Sequence, residues 1–171
     1  TPDNRQESSS TQHQILELSY AERVRTLIHL QQVGSLSTLS EKHSGWPFGS
    51  VMPYGLDQTG NPTFLISTMA IHTQNLRHNP KASLLIIEAA ADEDPLGKAR
   101  VTIMGEITQV AEEDLAVIRE SYLNQHQEAR YWVDFGDFAF YRMKIIALYF
   151  VGGFGVMGWV TEEEYQQAEV D

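Results

Sequence analysis

Apolar positions change period several times along the chain, and each change marks an expected element. From Ser19 onward Val24, Leu27, Ile28 and Val33 recur at helical spacing. Glu22 follows Ser19 by three residues as a capping-box pair, and Gly34 supplies a stop, so a helix is predicted over about 19–33. The segment "SLSTLS" then alternates as a strand. After it come "GWPFGSVMPYG", a turn at Asp57-Gln58-Thr59-Gly60, and "PTFLIS", which together read as a hairpin. A short helix is expected from Met69 to His78, with Pro80 ending it and the Ser67 and Thr68 hydroxyls capping its start. Two long strands, "ASLLIIEAA" and "RVTIMGEITQV", flank a loop over 92–97. "AEEDLAVIRESYLNQH" opens on three acids and carries Leu115, Ile118 and Tyr122 at helical spacing, which predicts a helix. "FAFYRMKIIALYFVGGFGVMGWV" supplies one or two final strands broken at Gly152-Gly153 and Gly155. Few connections are long enough for parallel crossovers, so the expected fold is mainly β of the α+β class: an antiparallel barrel with peripheral helices.

Composition narrows the function. A chain of 171 residues that is 42% hydrophobic is sized for one domain. With no cysteine, disulfides, thiolate metal sites and a Cys nucleophile are excluded. No apolar run approaches the ~20 residues of a membrane helix, so a soluble intracellular protein is expected. The chain begins at Thr1 rather than Met, consistent with trimming upstream, and shows no signal peptide, which leaves targeting open. Residues 1–12, "TPDNRQESSSTQ", read as a flexible arm. The net charge of −11 is carried mainly by residues 106–171, with 13 acids against 4 bases. Neither a basic nucleic-acid face nor a basic membrane-surface helix is visible, so no nucleic-acid and no membrane partner is expected. "IHTQNLRHNPKA", 71–82, is a local positive island without an acid.

Three constellations carry candidate chemistry. Ser67, Thr68, His72 and Asn75 sit around an expected helix N-terminus, where free amides attract phosphate; an ordinary capped helix is the plainer reading. Arg100, at the start of an apolar strand, has the fork geometry for an anionic or carbonyl-rich ligand, or pairs with Asp92 or Glu93. "YWVDFGDFAFYRM", 131–143, offers aromatic walls for a flat ring, although aromatics at strand spacing more often form core or subunit interface. The six histidines include no metal-site spacing, and no nucleophile elbow, P-loop or dinucleotide fingerprint occurs. In "GWPFGSVMPYG", Pro47 and Pro53 argue against a fully paired central strand, and Gly45, Gly49 and Gly55 permit close approach of another backbone or a ring.

"GWPFGSVMPYGLDQTGNPTFLISTMAIHTQNLRHNPKASLLI" followed by "ARVTIMGEITQV" resembles the pyridoxamine 5'-phosphate oxidase-like FMN-binding split-barrel superfamily, nearest its heme-utilisation branch. "SYLNQHQEARYWVDFGDFAFYRM" resembles the plastid and cyanobacterial members of that branch, some of which bind or degrade heme. The resemblance implies a Greek-key split β-barrel over residues 13–171, a homodimer, and FMN in the cleft between subunits. It places Ser50, Val51, Met52 and Pro53 along the flavin ring, Ser67 and Thr68 at the phosphate or ribityl chain, His72 where the oxidases have a phosphate-binding lysine, and Asn75 and Arg100 as further contacts. The segment under-paired at Ser50–Met52 would face the cofactor. The terminal Arg-x-His substrate motif of the oxidases is missing after Phe138, which disfavours pyridoxamine phosphate oxidation, and His72 in place of lysine weakens phosphate attraction. The extra C-terminal domain that supplies a heme ligand in bacterial heme-utilisation enzymes is not expected within these 171 residues, so if heme binds its axial ligand is left open among His43, His72 and His126, none of them favoured. The leading expectation is an FMN-dependent oxidoreductase. The alternatives are heme binding or heme oxygenase-like breakdown in the same cleft, and a non-enzymatic regulatory binding module. Cytoplasm, or plastid stroma in a eukaryote, is the expected compartment.

Overall fold

The computed structural model describes residues 18–89 and 95–170. The arm expected over 1–12 and the partners Asp92 and Glu93 expected for Arg100 lie outside them. The first helix, α1 (Tyr20–Leu30), starts as the sequence predicts: the Ser19 hydroxyl accepts from the Glu22 amide at 3.1 Å and the Glu22 carboxylate returns to the Ser19 backbone. It ends at a Gln31 cap, so Val33 and Gly34 belong to the first strand instead.

The strands are β1 (Val33–Leu39), β2 (Pro47–Pro53), β3 (Gly55–Leu56), β4 (Pro62–Ser67), β5 (Lys81–Ile87), β6 (Arg100–Gln109), β7 (Phe138–Gly153) and β8 (Val156–Val160). Between them lie α2 (Ile71–His78) and α3 (Leu115–Gln125), and α4 (Glu162–Gln167) closes the fold. All eight strands form one antiparallel sheet in the order β2-β1-β5-β6-β7-β4-β3, with β8 also paired to β7. This is a split-barrel α+β fold. The inward face packs Leu36, Leu84, Ile86, Val101, Ile103, Leu148 and Phe150 against Val24 and Ile28 of α1 and Tyr165 of α4. A second cluster joins β4 and β7 to α3 through Leu65, Phe140, Ile118, Tyr122 and Leu123, and takes in Ala129 and Val133.

Sequence periodicity missed α4. Its signal was Thr161-x-x-Glu164, which forms a full capping box, but the helix is only six residues long and mostly polar. What anchors it is Tyr165, fully buried, whose hydroxyl donates to the Gly60 carbonyl at 2.6 Å while its ring lies under the Arg25 guanidinium. Tyr54 similarly donates to the Ile28 carbonyl at 2.6 Å. The turn over 57–60 is built as expected: Asp57 Oδ1 accepts from the Thr59 and Asn61 amides, and Gly60 takes φ +86°.

The strand β7 is 16 residues long and changes neighbour along one edge, from β4 over 138–142 to β8 over 148–153, while β6 pairs along its other edge. Against β6 the register slips once: Gly105 faces Ile145 but Met104 faces Ala147, so Ile146 is the extra residue of a β-bulge. A Cβ at Gly105 would collide with the Lys144 carbonyl, so only glycine allows the two backbones this approach.

Two outcomes follow. Gly105→Ala should lower the urea unfolding free energy by about 2 kcal/mol, the usual cost of forcing atoms into a packed site. Burial raises the phenol of Tyr54 and pushes Tyr122 and Tyr165 up to about 12. The folded chain therefore holds protons that the unfolded chain releases near 10, so their stabilising contribution is intact below pH ~10 and is lost as the pH rises toward 12. A spectrophotometric titration at alkaline pH should show three of the seven tyrosines ionising only with unfolding, and Tyr165→Phe should cost about 1 kcal/mol at neutral pH.

Candidate functional site

Side chains that the strand alternation turns away from the core meet in continuous rows across the sheet. One row runs Val51, Ser35, Leu85, Thr102, Tyr149, Trp159 from β2 to β8. The next runs Gly49, Ser37, Ser83, Met104, Ala147. Val51, Met104, Ile146, Met157 and Trp159 are exposed, with Val51 at 75% and Trp159 at 63%. An outward sheet face of this kind is neither core nor ordinary polar surface. It holds a concavity of about 510 Å³, whose floor is Ser37, Ser83 and Met104, whose apolar walls include Leu39, Pro47 and Ile146, and whose edge carries Lys81 and Glu106. The bulge at Gly105 is what turns Ile146 into this concavity alongside Met104.

The residues singled out from sequence are divided by this face. Val51 and Pro53 of β2 point outward, whereas Met52 is buried in the core and Ser50 turns inward, its hydroxyl buried without a partner. As the two prolines imply, β2 is not a fully paired central strand but an edge strand: it pairs with β1 without a break from Pro47 to Pro53, and its opposite edge stays open along the whole segment rather than at Ser50–Met52 alone. Trp46, just before β2, and Phe48 stay exposed, whereas Tyr54, just after it, enters the core. Arg100 also lies on the outward face, opposite Ile87 and Val151, with its guanidinium donating to the Leu96 and Lys98 carbonyls at 3.3 Å.

The predicted phosphate cradle is assembled differently. The helix α2 starts at Ile71 with Ala70 as an N-cap that has no side-chain bond, not at Met69 under hydroxyl caps. The Ser67 hydroxyl accepts from the Met69 amide and donates to Asp137 Oδ2 at 2.8 Å, and the Thr68 amide donates to the Asp137 carbonyl. Asn75 is 2% exposed, and its amide bridges two elements: Oδ1 accepts from the Glu41 amide and Nδ2 donates to Thr38. His72 is half-buried with Nε2 lacking a partner, and burial holds its pKa below the ordinary value, so it is neutral at pH 7. A carboxylate beside Ser67, an internally bonded Asn75 and a neutral His72 are a poor donor set for a dianionic phosphate.

The remaining candidates fall into place by burial. His126 is buried, donating from Nε2 to the Tyr54 carbonyl at 2.6 Å and stacked on Tyr122, which makes it a structural histidine. His43 is exposed in the turn before β2. Within 131–143, Val133, Phe138, Phe140 and Tyr141 enter the two cores, whereas Tyr131 and Phe135 stay exposed. Among the described residues no cluster of three metal-ligating side chains occurs, and no helix is long and apolar enough to cross a membrane. Sequence reasoning passed over Met104, Ile146, Lys81 and Glu106. The available signals were a methionine on the polar phase of "RVTIMGEITQ" and the broken alternation of "MKIIAL".

This chain is 40% identical over 90% of its length to the non-canonical heme oxygenase HOZ, chloroplastic, of Arabidopsis thaliana, and covers 48% of that protein. It is 32% identical over 82% of its length to Protein CREG1 of Mus musculus, covering 70% of it. Among solved structures, a heme binding protein from Mycobacterium smegmatis superposes with a TM-score of 0.85 at 37% identity, over 91% of this chain and 63% of that one. The chain thus spans about half the length of the plant relative. The "CREG, beta-barrel" family model matches residues 16–167, and with the split-barrel sheet and these relatives in agreement the chain belongs to the CREG beta-barrel family of the FMN-binding split-barrel superfamily.

Proposed function

We propose that the outward concavity binds heme, and that the chain is a heme-binding, heme oxygenase-like split-barrel protein working as a homodimer. The observation that carries the reading is a ring-sized apolar cavity on the outward sheet face of a chain whose relatives at 40% and 37% identity are named for heme. A volume of about 510 Å³ lies within the range of cofactor sites. The donor chemistry fits a flat amphiphile: apolar walls, two serine hydroxyls on the floor, a lysine at the edge, and in Met104 a thioether of the kind heme iron accepts. Bound heme would supply the oxygen chemistry. The chain's own residues bind the ring, orient it and exclude water from its faces.

Flavin in the same cleft, the first expectation from the sequence, rests on the superfamily resemblance, and the arrangement of Ser67, Asp137 and Asn75 does not favour its phosphate. The homodimer reading has its own support: Leu85, Tyr149 and Trp159 continue the apolar surface beyond the concavity, and Tyr149 and Trp159 already pack at 5.0 Å between ring centroids. A second copy laid on this face would cover those side chains and close the open side of the cavity. A plastid location is in keeping with the plant relative, whose name places that protein in the chloroplast.

Hemin titrated into the purified protein should give a saturable Soret band at one equivalent per protomer, and reductant in air should bleach it. Met104→Glu, which sets a charge on the apolar floor, should weaken binding tenfold or more, at about 1.4 kcal/mol per decade. Saturable uptake of FMN with no Soret band would reject the heme reading. By light scattering the protein should have about twice its 19.3 kDa chain mass, and Trp159→Glu should return it to a monomer; a wild-type monomer would reject the dimer.

A further inference from the structure

The register of β5, β6 and β7 sets three charges side by side on the outward face. Lys81 stands opposite Glu106, and Glu106 stands opposite Lys144, so the cross-strand row reads cation, anion, cation. Directly opposed residues share a face, and Lys81 and Glu106 both line the concavity, so Lys144 projects from the same surface. All three are exposed, and none is held in an ion pair among the described residues. The next cation along β7 differs: Arg142 is bound by Asp114 at 3.2 Å and lies 3.8 Å from Asp57. Two lysines one strand to either side of Glu106 are separated by two strand spacings, about 10 Å. Lys81 and Glu106 line one end of the cavity, Lys144 follows them on the next strand, and the floor leads away from this row over Ser83 and Met104. In a chain of net charge −11 this cross-strand row bears two lysines against one acid.

We propose that Lys81 and Lys144 form a two-point clamp for the pair of carboxylates along one edge of a tetrapyrrole, and so fix which edge of the ring enters over Met104. The inference rests on the heme reading and adds the orientation of the ring. Each ammonium, with three donors on a flexible stem, takes one carboxylate, and the spacing of the two matches carboxylates carried on neighbouring arms of one ring edge. Glu106 opposes them, keeping the two ammonium groups from repelling each other in the empty cleft and competing weakly with the ligand.

The test compares hemin with hemin dimethyl ester, in which both carboxylates are masked, by absorbance titration in matched co-solvent. Wild type should bind hemin about twenty-fold more tightly than the ester, with each lysine worth about fivefold, the upper end for exposed charge pairs. The double variant Lys81→Gln/Lys144→Gln should bind the ester as wild type does and lose the preference for the acid, whereas Glu106→Gln should bind hemin more tightly. Tight binding of both ligands by wild type with equal affinity, or a double variant that keeps the preference, would overturn the clamp and leave the heme reading standing. Failure of wild type to bind either ligand would overturn the heme reading and the clamp with it.

Discussion

The close approach of Gly105 to the Lys144 carbonyl is the contact on which the rest of this architecture turns. Without a side chain at 105, β6 and β7 come together tightly enough to absorb one extra residue and stay paired on both sides of it. A sixteen-residue strand twists strongly, and the bulge falls just before β7 exchanges β4 for β8 as its second neighbour. The same slip turns Ile146 outward next to Met104, so the feature that lets the sheet curl around its core also shapes the wall of the outer cavity. On one side of the slip it sets Glu106 against Lys144, and on the other it leaves an apolar row ending in Trp159. Fold and site therefore share one backbone constraint.

A carboxylate occupies the Ser67 side of the phosphate cradle expected near α2. Asp137, the residue immediately before β7, reaches the Ser67 hydroxyl at 2.8 Å because Ser67 and Phe138 are paired partners at the end of β4. The Ser67 hydroxyl and the Thr68 amide are thus bonded to the chain itself, and the carboxylate leaves the end of β4 electronegative. Asn75 shows the same economy: its amide ties α2 to β1 and to the turn after it, and it is buried for that reason. Two of the residues that the sequence offered as phosphate donors, Ser67 and Asn75, tie neighbouring segments of the chain together.

The parts of this fold legible in the sequence were those governed by local rules. The Ser19–Glu22 box, the Asp57–Gly60 turn and the alternation of β6 each follow from near neighbours, and each appears where expected. The helix α4 was missed because six polar residues have no periodic signature; Tyr165 holds it through a bond 105 residues away in sequence. The start of α2 lies two residues later than expected, and the Ser67 hydroxyl that suits a cap is bonded to a partner far along the chain. Site residues divided in the same way. Position along the chain showed that Ser50 to Pro53 form a strand, but only the register shows that Val51 and Pro53 face outward and Met52 inward. Met104 and Lys81 became visible as neighbours only once β5 and β6 were paired.

The outward face of this antiparallel sheet carries exposed apolar residues that its own core does not use. The inner face is already covered by α1 and α4, while α3 packs on the other side of β4 and β7 over Leu65 and Phe140, so Val51, Ile146 and Trp159 gain nothing from the chain's own core. A solvated antiparallel sheet ordinarily alternates polar residues there. Burying even three such side chains against a partner or a ring contributes several kcal/mol, at about 25 cal/mol per Å². That gain is realised only when something flat or complementary lies on the sheet. The serines of the floor, Ser37 and Ser83, limit how hydrophobic the face becomes and keep it tolerable to water when empty. An apolar face moderated by small hydroxyls and edged by cations suits an occupant that is itself apolar across its plane and anionic at its margin.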